Sequence, residues 1–290
     1  MKIVFPDEMS KRDLHQFMLG SVIPRPIAFV STVSNNGVNN LAPFSYFNAI
    51  SSLPPILAFS MSRRPDGSKK DTHANLIDNG ECVIHMVNFE TCHKMAIAGV
   101  DFPPDTDEFI KCGLTQADSQ MVKPRAIAEA PVRFECKLDR IIELGNIQSP
   151  TSLAIVDVLC IHYNERIMSN KNRIIPEMLD PVGRLGRTNY LRFNEENVFS
   201  IALSRKELPI GFDNLPRSIL ISKILSGNDI AQIAGLTELP SAELIDDQYK
   251  KFGSAQQEID TLHEIAQKEI ILGNIEIAAA ILLIPEYYDL

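Results

Sequence analysis

An Asn36-Gly37 pair stands between two apolar runs rich in β-branched residues, 27–33 and 38–47. Asn-Gly suits the left-handed positions of a tight turn, so the two runs read as an antiparallel hairpin. Pro43 lies inside the second run and has no N–H for a ladder. That strand therefore belongs at a sheet edge or carries a bulge, and a bulge is a place where backbone can meet a ligand. Residues 56–62 and 82–87 read as two more strands. In 132–141, Val132, Phe134, Cys136 and Leu138 alternate with Arg133, Glu135, Lys137 and Asp139, the pattern of a half-buried antiparallel strand. Residues 153–161 are almost continuously apolar and read as a central strand. Several short strands with few helices between them predict a mainly β fold, a closed antiparallel barrel with flanking helices. No Gly-rich dinucleotide or P-loop stretch occurs, so neither of those nucleotide folds is supported.

The helices expected around the barrel are few. Residues 10–19 read as a short helix with Ser10 as cap and Leu14, Phe17 and Met18 on one face. Residues 91–98 read as another, and 101–123 as irregular: a lid, a dimer contact or a surface loop. After about residue 193 the pattern turns helical. A helix is expected over 213–225, with Pro216 early and Gly227 after its end, and another over 228–234, closed by Gly235. Residues 256–271 place Ile259, Leu262, Ile265 and Ala266 at helical spacing. Residues 274–284 are apolar on nearly all sides and are expected to pack against the barrel or a second subunit. This gives a barrel domain over 1–195 and a helical extension over 196–290.

The net charge of −9 over 290 residues argues against a general nucleic-acid binder. Five cysteines, an odd number with no C-x-x-C pair, suggest reduced thiols in a reducing compartment. Cys92-His93 is the nearest approach to a ligand pair and lacks partners, so no metal site is expected. No signal-like stretch opens the chain, and no run approaches the ~20 apolar residues that span a bilayer. The expectation is a cytoplasmic protein without a membrane segment.

Residues 40–75 carry the chemistry. A cationic, hydroxyl-rich loop contains Arg63, Arg64, Lys69 and Lys70 with Ser62, Ser68 and Thr72. It leads into a helix over 73–78 that Asp71-Thr72 can cap and Gly80 can end. The first turn of a helix leaves N–H groups unpaired and is electropositive, so a phosphate fits there. A solvated basic loop with an ordinary helix cap fits the same pattern.

The segments Pro24-Arg25-Pro26-Ile27-Ala28-Phe29-Val30-Ser31-Thr32 and Asn40-Leu41-Ala42-Pro43-Phe44-Ser45-Tyr46-Phe47-Asn48 occur in order with Lys70-Asp71-Thr72 and Asn75. The later Pro181-Val182-Gly183-Arg184-Leu185-Gly186, with Tyr190, follows. Together, over about residues 17–190, they resemble the flavin reductase-like family of FMN-binding split β-barrels. That family includes reductase components of two-component monooxygenases, ferric reductases and flavoredoxin. The resemblance implies an FMN cofactor at the interface of a homodimer, with Arg184 and Tyr190 near the partner's cofactor.

An FMN phosphate needs cations and donors, and Ser62, Arg63, Lys70, Thr72 and Asn75 are assigned to it, with Asp71 at the helix start. The flavin ring needs an apolar slot with donors at its edge. The strand Ala42, Pro43, Phe44, Ser45, Tyr46 and Phe47, with Asn40, is the candidate, and Ser31 and Thr32 can reach the ring or ribityl chain. Without the resemblance, Phe44, Tyr46 and Phe47 read as core aromatics more readily than as flavin contacts. His73 can serve the phosphate or ring edge or lie on the surface, His85 reads as a packed core residue, and Arg25 can serve the site or a salt bridge. The implied activity is hydride transfer from NAD(P)H to flavin or another small acceptor, with a monooxygenase as a possible electron-accepting partner. No side chain is needed as acid or base, because the flavin carries the chemistry. A flavin-binding electron carrier or store is the alternative, and a related barrel holding haem ranks last.

Overall fold

The computed structural model describes residues 1–145, 150–201, 206–252 and 258–288. It divides into two compact units, Met1–Val198 and Phe199–Leu290. The first is built on a seven-stranded antiparallel sheet. Its strands are β1 Ala28–Val33, β2 Asn39–Phe44, β3 Phe47–Ser52, β4 Pro55–Ser62, β5 Glu81–Met86, and, after the two short strands β6 Gln116–Ala117 and β7 Ala126–Ile127, β8 Val132–Leu144 and β9 Thr151–Tyr163. Their order is β2-β1-β5-β8-β9-β4-β3. Helices α1 Lys11–Ser21, α2 Asp71–Asn79, α3 Cys92–Ile97 and α4 Glu108–Cys112 flank the sheet.

The hairpin forms, but of the Asn36-Gly37 pair only Gly37 takes the left-handed conformation, and its N–H closes the turn on the Ser34 carbonyl at 3.0 Å. Gly37 sits at φ 80°, and the Ser34 hydroxyl accepts from the Val38 N–H at 3.0 Å. Strand β2 is an edge strand, which is how the sheet accommodates Pro43 opposite Phe29. The return strand stops at Phe44 rather than Phe47. The chain breaks at Ser45-Tyr46 and re-enters the sheet as β3 at the opposite edge. The Ser60 N–H extends the β3–β4 ladder to the Tyr46 carbonyl at 2.9 Å, and Phe44, at the end of edge strand β2, brings its ring within 5.2 Å of Phe59 on β4. The sheet is thus curled around a core that includes Ala28, Val30, Phe59, Met61, Ile84 and Val156. Cys82 and Cys136 face this core as free thiols, paired in register across β5 and β8. A second apolar layer, with Phe29, Leu41, Met95, Phe109 and Ile127, covers the other face of β1. Strand β1 is consequently buried on both faces.

Other expectations are corrected by the packing. Helix α2 begins at Asp71, with Lys70 as N-cap and no side-chain cap, so Thr72 is a buried residue of the first turn rather than its cap. The irregular segment 101–123 contains α4, which Asp107 caps through the Phe109 N–H at 2.9 Å. Helix α1 is capped by Ser10 as expected but has no buried residue, and Phe17 and Met18 are exposed. Strand β8 keeps its alternation only in part. It bulges at Glu135/Cys136 and at Leu138/Arg140, and Glu135, expected on the solvent side, is fully buried. Among the described residues Arg25 makes no salt bridge: its guanidinium donates to the carbonyls of Leu19, Val22 and Leu185 at 2.6–2.8 Å. His85 is the packed histidine expected, with Nδ1 at 2.7 Å from the Phe29 carbonyl and Nε2 accepting from the Ile127 N–H. Burial drives its pKa down to about 3.

Later in this unit come α5 Pro176–Leu179 and the β10 Val182–Arg184 with β11 Tyr190–Arg192 hairpin, where the Arg184 guanidinium lies 4.4 Å over the Tyr190 ring. The helical unit holds α6 Arg217–Leu220, α7 Gly227–Ala234, α8 Ala242–Phe252, α9 Ile259–Ile271, α10 Ile275–Leu282 and α11 Ile284–Tyr288. The helix expected over 213–225 is only the single turn α6 preceded by a 3-10 turn. Gly227 opens α7, which Ser226 and Asp229 start with a reciprocal capping box. The expected start of the helix at Gln256 lies outside the described residues. Apart from the exposed Glu276, α10 is apolar, and its buried residues pack among residues of its own unit, including Ile233, Ile245, Leu262 and Ala266.

Candidate functional site

Strand β4 ends at Ser62, and the chain turns tightly before α2. The Arg64 N–H donates to the Ser68 carbonyl and the Gly67 N–H to the Arg64 carbonyl, both at 2.9 Å. This turn splits two adjacent arginines. Arg64 faces the start of α2, with Nη2 at 2.6 Å from Asp71 and Nε at 3.5 Å from Asp101. Lys70 reaches Asp101 at 3.1 Å. Arg63 turns the other way, to Glu143 near the end of β8, at 2.8 Å.

Arg64, Lys70, Asp71 and Thr72 line one cleft with residues 40–44 of β2, facing residues 98–102 and Glu108. The sequence-derived candidates Asn40, Ala42, Pro43, Phe44, Lys70, Asp71 and Thr72 are thus brought together. Beneath the cleft lies a buried polar network. The Asn40 amide donates to the Thr32 and Thr72 hydroxyls, and the Asn75 amide to Thr32, each at 3.0 Å. Both Asn40 N–H groups are therefore committed to the protein. The network ties β1, β2 and α2 together and fixes Thr72 at the first turn, where the backbone N–H groups lack a side-chain cap.

The other candidates lie elsewhere. Ser31 is buried on the opposite face of β1, donating to the Arg125 carbonyl at 2.7 Å. Phe47 packs against the barrel core. Ser45 lies 3.5 Å from the Arg25 Nε, and Tyr46 is nearly half exposed, with Arg25 above its ring. Ser62 and Arg63 do not line the cleft. His73 is buried beside Arg63, with Nε2 3.3 Å from Glu143. Its Nδ1 has no hydrogen-bond partner among the described residues. Burial, reinforced by the Lys69 charge, lowers its pKa.

The strand edge offers fewer donors than the sequence implies. The Leu41 N–H points away from β1 and donates to the Glu108 carboxylate at 3.0 Å. Antiparallel ladders alternate, so Asn40, Ala42 and Phe44 direct their N–H groups into β1. The next outward position is Pro43, which has none. A ring against this edge would meet apolar surface first, with further donors only beyond Phe44.

Sequence reasoning missed the facing wall, residues 98–102 and Glu108. Glu108 is buried, which raises its pKa despite the Leu41 N–H that opposes the rise. The only available signal was the Asp107-Glu108 pair before an apolar turn, which reads as a helix start and not as a cleft wall.

The model of the flavin reductase like domain matches residues 19–174. Among solved structures, nitrilotriacetate monooxygenase component B from Bacillus cereus is 34% identical, with a TM-score of 0.66, covering 69% of this chain and 98% of that one. The 2-nitrobenzoate 2-nitroreductase NbaA of Pseudomonas fluorescens is 26% identical, with a TM-score of 0.62, covering 69% and 96%. A split-barrel protein from Shewanella frigidimarina NCIMB 400, assigned as a flavin reductase, is 18% identical, with a TM-score of 0.59, covering 68% and 96%; this likeness bears on the fold alone.

Proposed function

The chain belongs to the flavin reductase like family, a family of flavin-binding split barrels, and from that premise we propose that it is an FMN-dependent oxidoreductase passing a hydride from NAD(P)H to flavin or another small acceptor. One observation carries the reading. Arg64, Lys70 and Thr72 stand with the uncapped start of α2 in the same cleft as the 40–44 strand edge. Cations, a hydroxyl and free first-turn N–H groups are the donor set a phosphate monoester requires. The residues therefore fit FMN, with Arg64 in the place first assigned to Arg63. The carboxylates of Asp71 and Asp101 hold the two cations in position and would give way to the phosphate.

Bound FMN supplies the hydride-accepting ring; the protein's own part is to hold and orient it. The apolar edge at Ala42 and Pro43 gives the ring a flat wall, and the Asn40–Thr32–Thr72–Asn75 network keeps that wall in register with the phosphate site. Glu108 faces the same cleft and, with its raised pKa, is the nearest buried carboxyl.

The family resemblance supports a homodimer, NAD(P)H as co-substrate and a cytoplasmic setting. No helix among the described residues is long and apolar enough to cross a membrane. The likeness to a monooxygenase component B supports an oxygenase as one class of electron-accepting partner.

The test is the visible spectrum of the purified protein, followed by FMN titration under flavin fluorescence and by steady-state NAD(P)H oxidation. Stoichiometric binding with turnover is expected. A protein that binds no FMN at micromolar concentration overturns the assignment. Binding without NAD(P)H oxidation would leave an electron carrier in place of a reductase.

A further inference from the structure

The β8–β9 hairpin carries a polar cluster that the flavin cleft does not use. Glu135 is fully buried, while Cys160 and His162 on β9 are partly exposed. One ligand-type atom from each of the three lies within 4.8 Å of the others. Glu135 Oε1 stands 2.6 Å from His162 Nε2, and Cys160 Sγ stands 3.6 Å from the same nitrogen. The β-bulge makes this possible. Glu135 pairs with Cys160 while Cys136 pairs with Val158, so the register slips by one residue between them. The slip swaps the faces of β9 relative to β8 and brings Cys160 and His162 beside Glu135.

We propose that Glu135, Cys160 and His162 form a binding site for a divalent cation of the zinc class. A thiolate, an imidazole and one carboxylate oxygen are the donors that select zinc or cobalt over magnesium or calcium. Ligand atoms about 2.0–2.3 Å from a tetrahedral zinc lie roughly 3.3–3.8 Å from one another. The Cys160–His162 pair already has that spacing. The Glu135–His162 contact is a hydrogen bond that the cation replaces, opening it by about 1 Å. Binding requires the Cys160 sulfur as thiolate and His162 Nε2 free of its proton, which a neutral imidazole carries on Nδ1 instead.

The support behind the first ligand is already built. Glu135 accepts the Gln120 N–H at 2.8 Å through Oε1 and the Met121 N–H at 2.6 Å through Oε2. These bonds fix the carboxylate and leave Oε1 a lone pair for the metal. They also tie the 118–124 segment to the hairpin, so an ion here would brace that segment against the barrel wall. The partial exposure of Cys160 and His162 leaves an entry path and room for water as the fourth ligand. Spacing along the sequence could not show this site, because its ligands come from two strands whose register depends on a bulge.

The test uses the full chain, freed of metal by chelator dialysis. Zn²⁺ affinity is measured by competition with a chromophoric chelator, and Co²⁺ binding by difference spectrum. One equivalent of Zn²⁺ is expected, together with a thiolate-to-cobalt charge-transfer band that zinc abolishes. Cys160→Ser should lose the band, and His162→Ala should lose stoichiometric binding. Cys92→Ser, remote from the cluster, should keep both. Failure of the unmodified chain to bind, or a band that persists in Cys160→Ser, overturns the proposal. Neither readout depends on flavin binding or turnover.

Discussion

The two sides of the first turn of α2 hold nearly the same residues and make opposite things of them. On the cleft side, Arg64 and Lys70 meet Asp71 and Asp101. On the barrel side, Arg63, Lys69 and His73 gather around Glu143, which also accepts from the Ser152 hydroxyl at 3.0 Å. The difference lies in what stands behind the charges. The cleft cations are backed by the start of α2, where the Asp71 and Thr72 N–H groups have no side-chain cap, and by an open wall, so an anionic ligand can replace their carboxylates. The barrel-side cations share one carboxylate, which His73 and the Ser152 hydroxyl also hold, and this is a structural knot. Each side has one arginine and one lysine, set against two carboxylates in the cleft and one on the barrel side, and backbone direction through one tight turn decides which arginine faces the cleft.

The comparison breaks most directly at the arginines. Arg64→Ala with Lys70→Ala should weaken FMN binding by about 3 kcal/mol, roughly a hundredfold in Kd. Arg63→Ala should leave Kd within about 0.5 kcal/mol, because that guanidinium serves Glu143. Fluorescence titration of both variants checks this, and equal losses would erase the distinction between the two sides.

Asn40 stands in the wall between them. Asn40→Ala removes the donor to Thr32 and Thr72 in a buried network and should cost about 2 kcal/mol of stability, measured by urea unfolding. Its effect on FMN affinity should track the loss of Thr72 order and stay below that of the double variant.

The barrel-side knot should show in the pH dependence of stability. His73 has a folded pKa below its unfolded value, so the unfolded chain takes the proton first and stability falls as pH drops below about 6.5. Burial of Glu143 works to raise its pKa, but Ser152, His73 and Arg63 outweigh it and the net shift is downward. Its contribution is present above about pH 4.5 and lost as pH falls through the lower folded value. Glu143→Gln should therefore flatten the acid part of the profile below about 4.5 and, by removing the carboxylate that holds the His73 pKa up, deepen the loss that His73 causes as pH drops below about 6.5. Because the side chain is nearly half exposed, the loss at neutral pH should be only about 1 kcal/mol.

What the sequence made legible follows from how local each signal is. The Asn-Gly hairpin and the edge position of Pro43 are written in a few adjacent residues, and both form. The basic loop was legible as a candidate anion site, but not which of Arg63 and Arg64 turns to the cleft, since one residue of backbone rotation exchanges them. The start of α2 was read two residues late because its cap position belongs to Lys70, whose side chain gives no capping signal. The facing wall with Asp101 and Glu108 was invisible for a deeper reason. It has no periodicity, and its place is set by packing of α3 and α4 against β2, which depends on Phe109, Leu41 and Met95 meeting across long sequence separations. Glu135 was read as solvent-facing because strict alternation leaves no room for a bulge.

The smallest expected effect sharpens the comparison furthest. Asp101 is nearly half exposed and pairs with both cleft cations. If these pairs only hold the cations until a phosphate arrives, they compete with the ligand. Asp101→Asn should then tighten FMN binding by about 0.5–1 kcal/mol, roughly two- to fivefold in Kd, and make it more sensitive to salt because the freed cations are unscreened. Titration at two ionic strengths reads both effects. Weaker binding in this variant would mean that Asp101 positions Arg64 and Lys70 as Glu143 positions Arg63, and the cleft side would then be a second knot with its phosphate donors reduced to the helix N–H groups and Thr72.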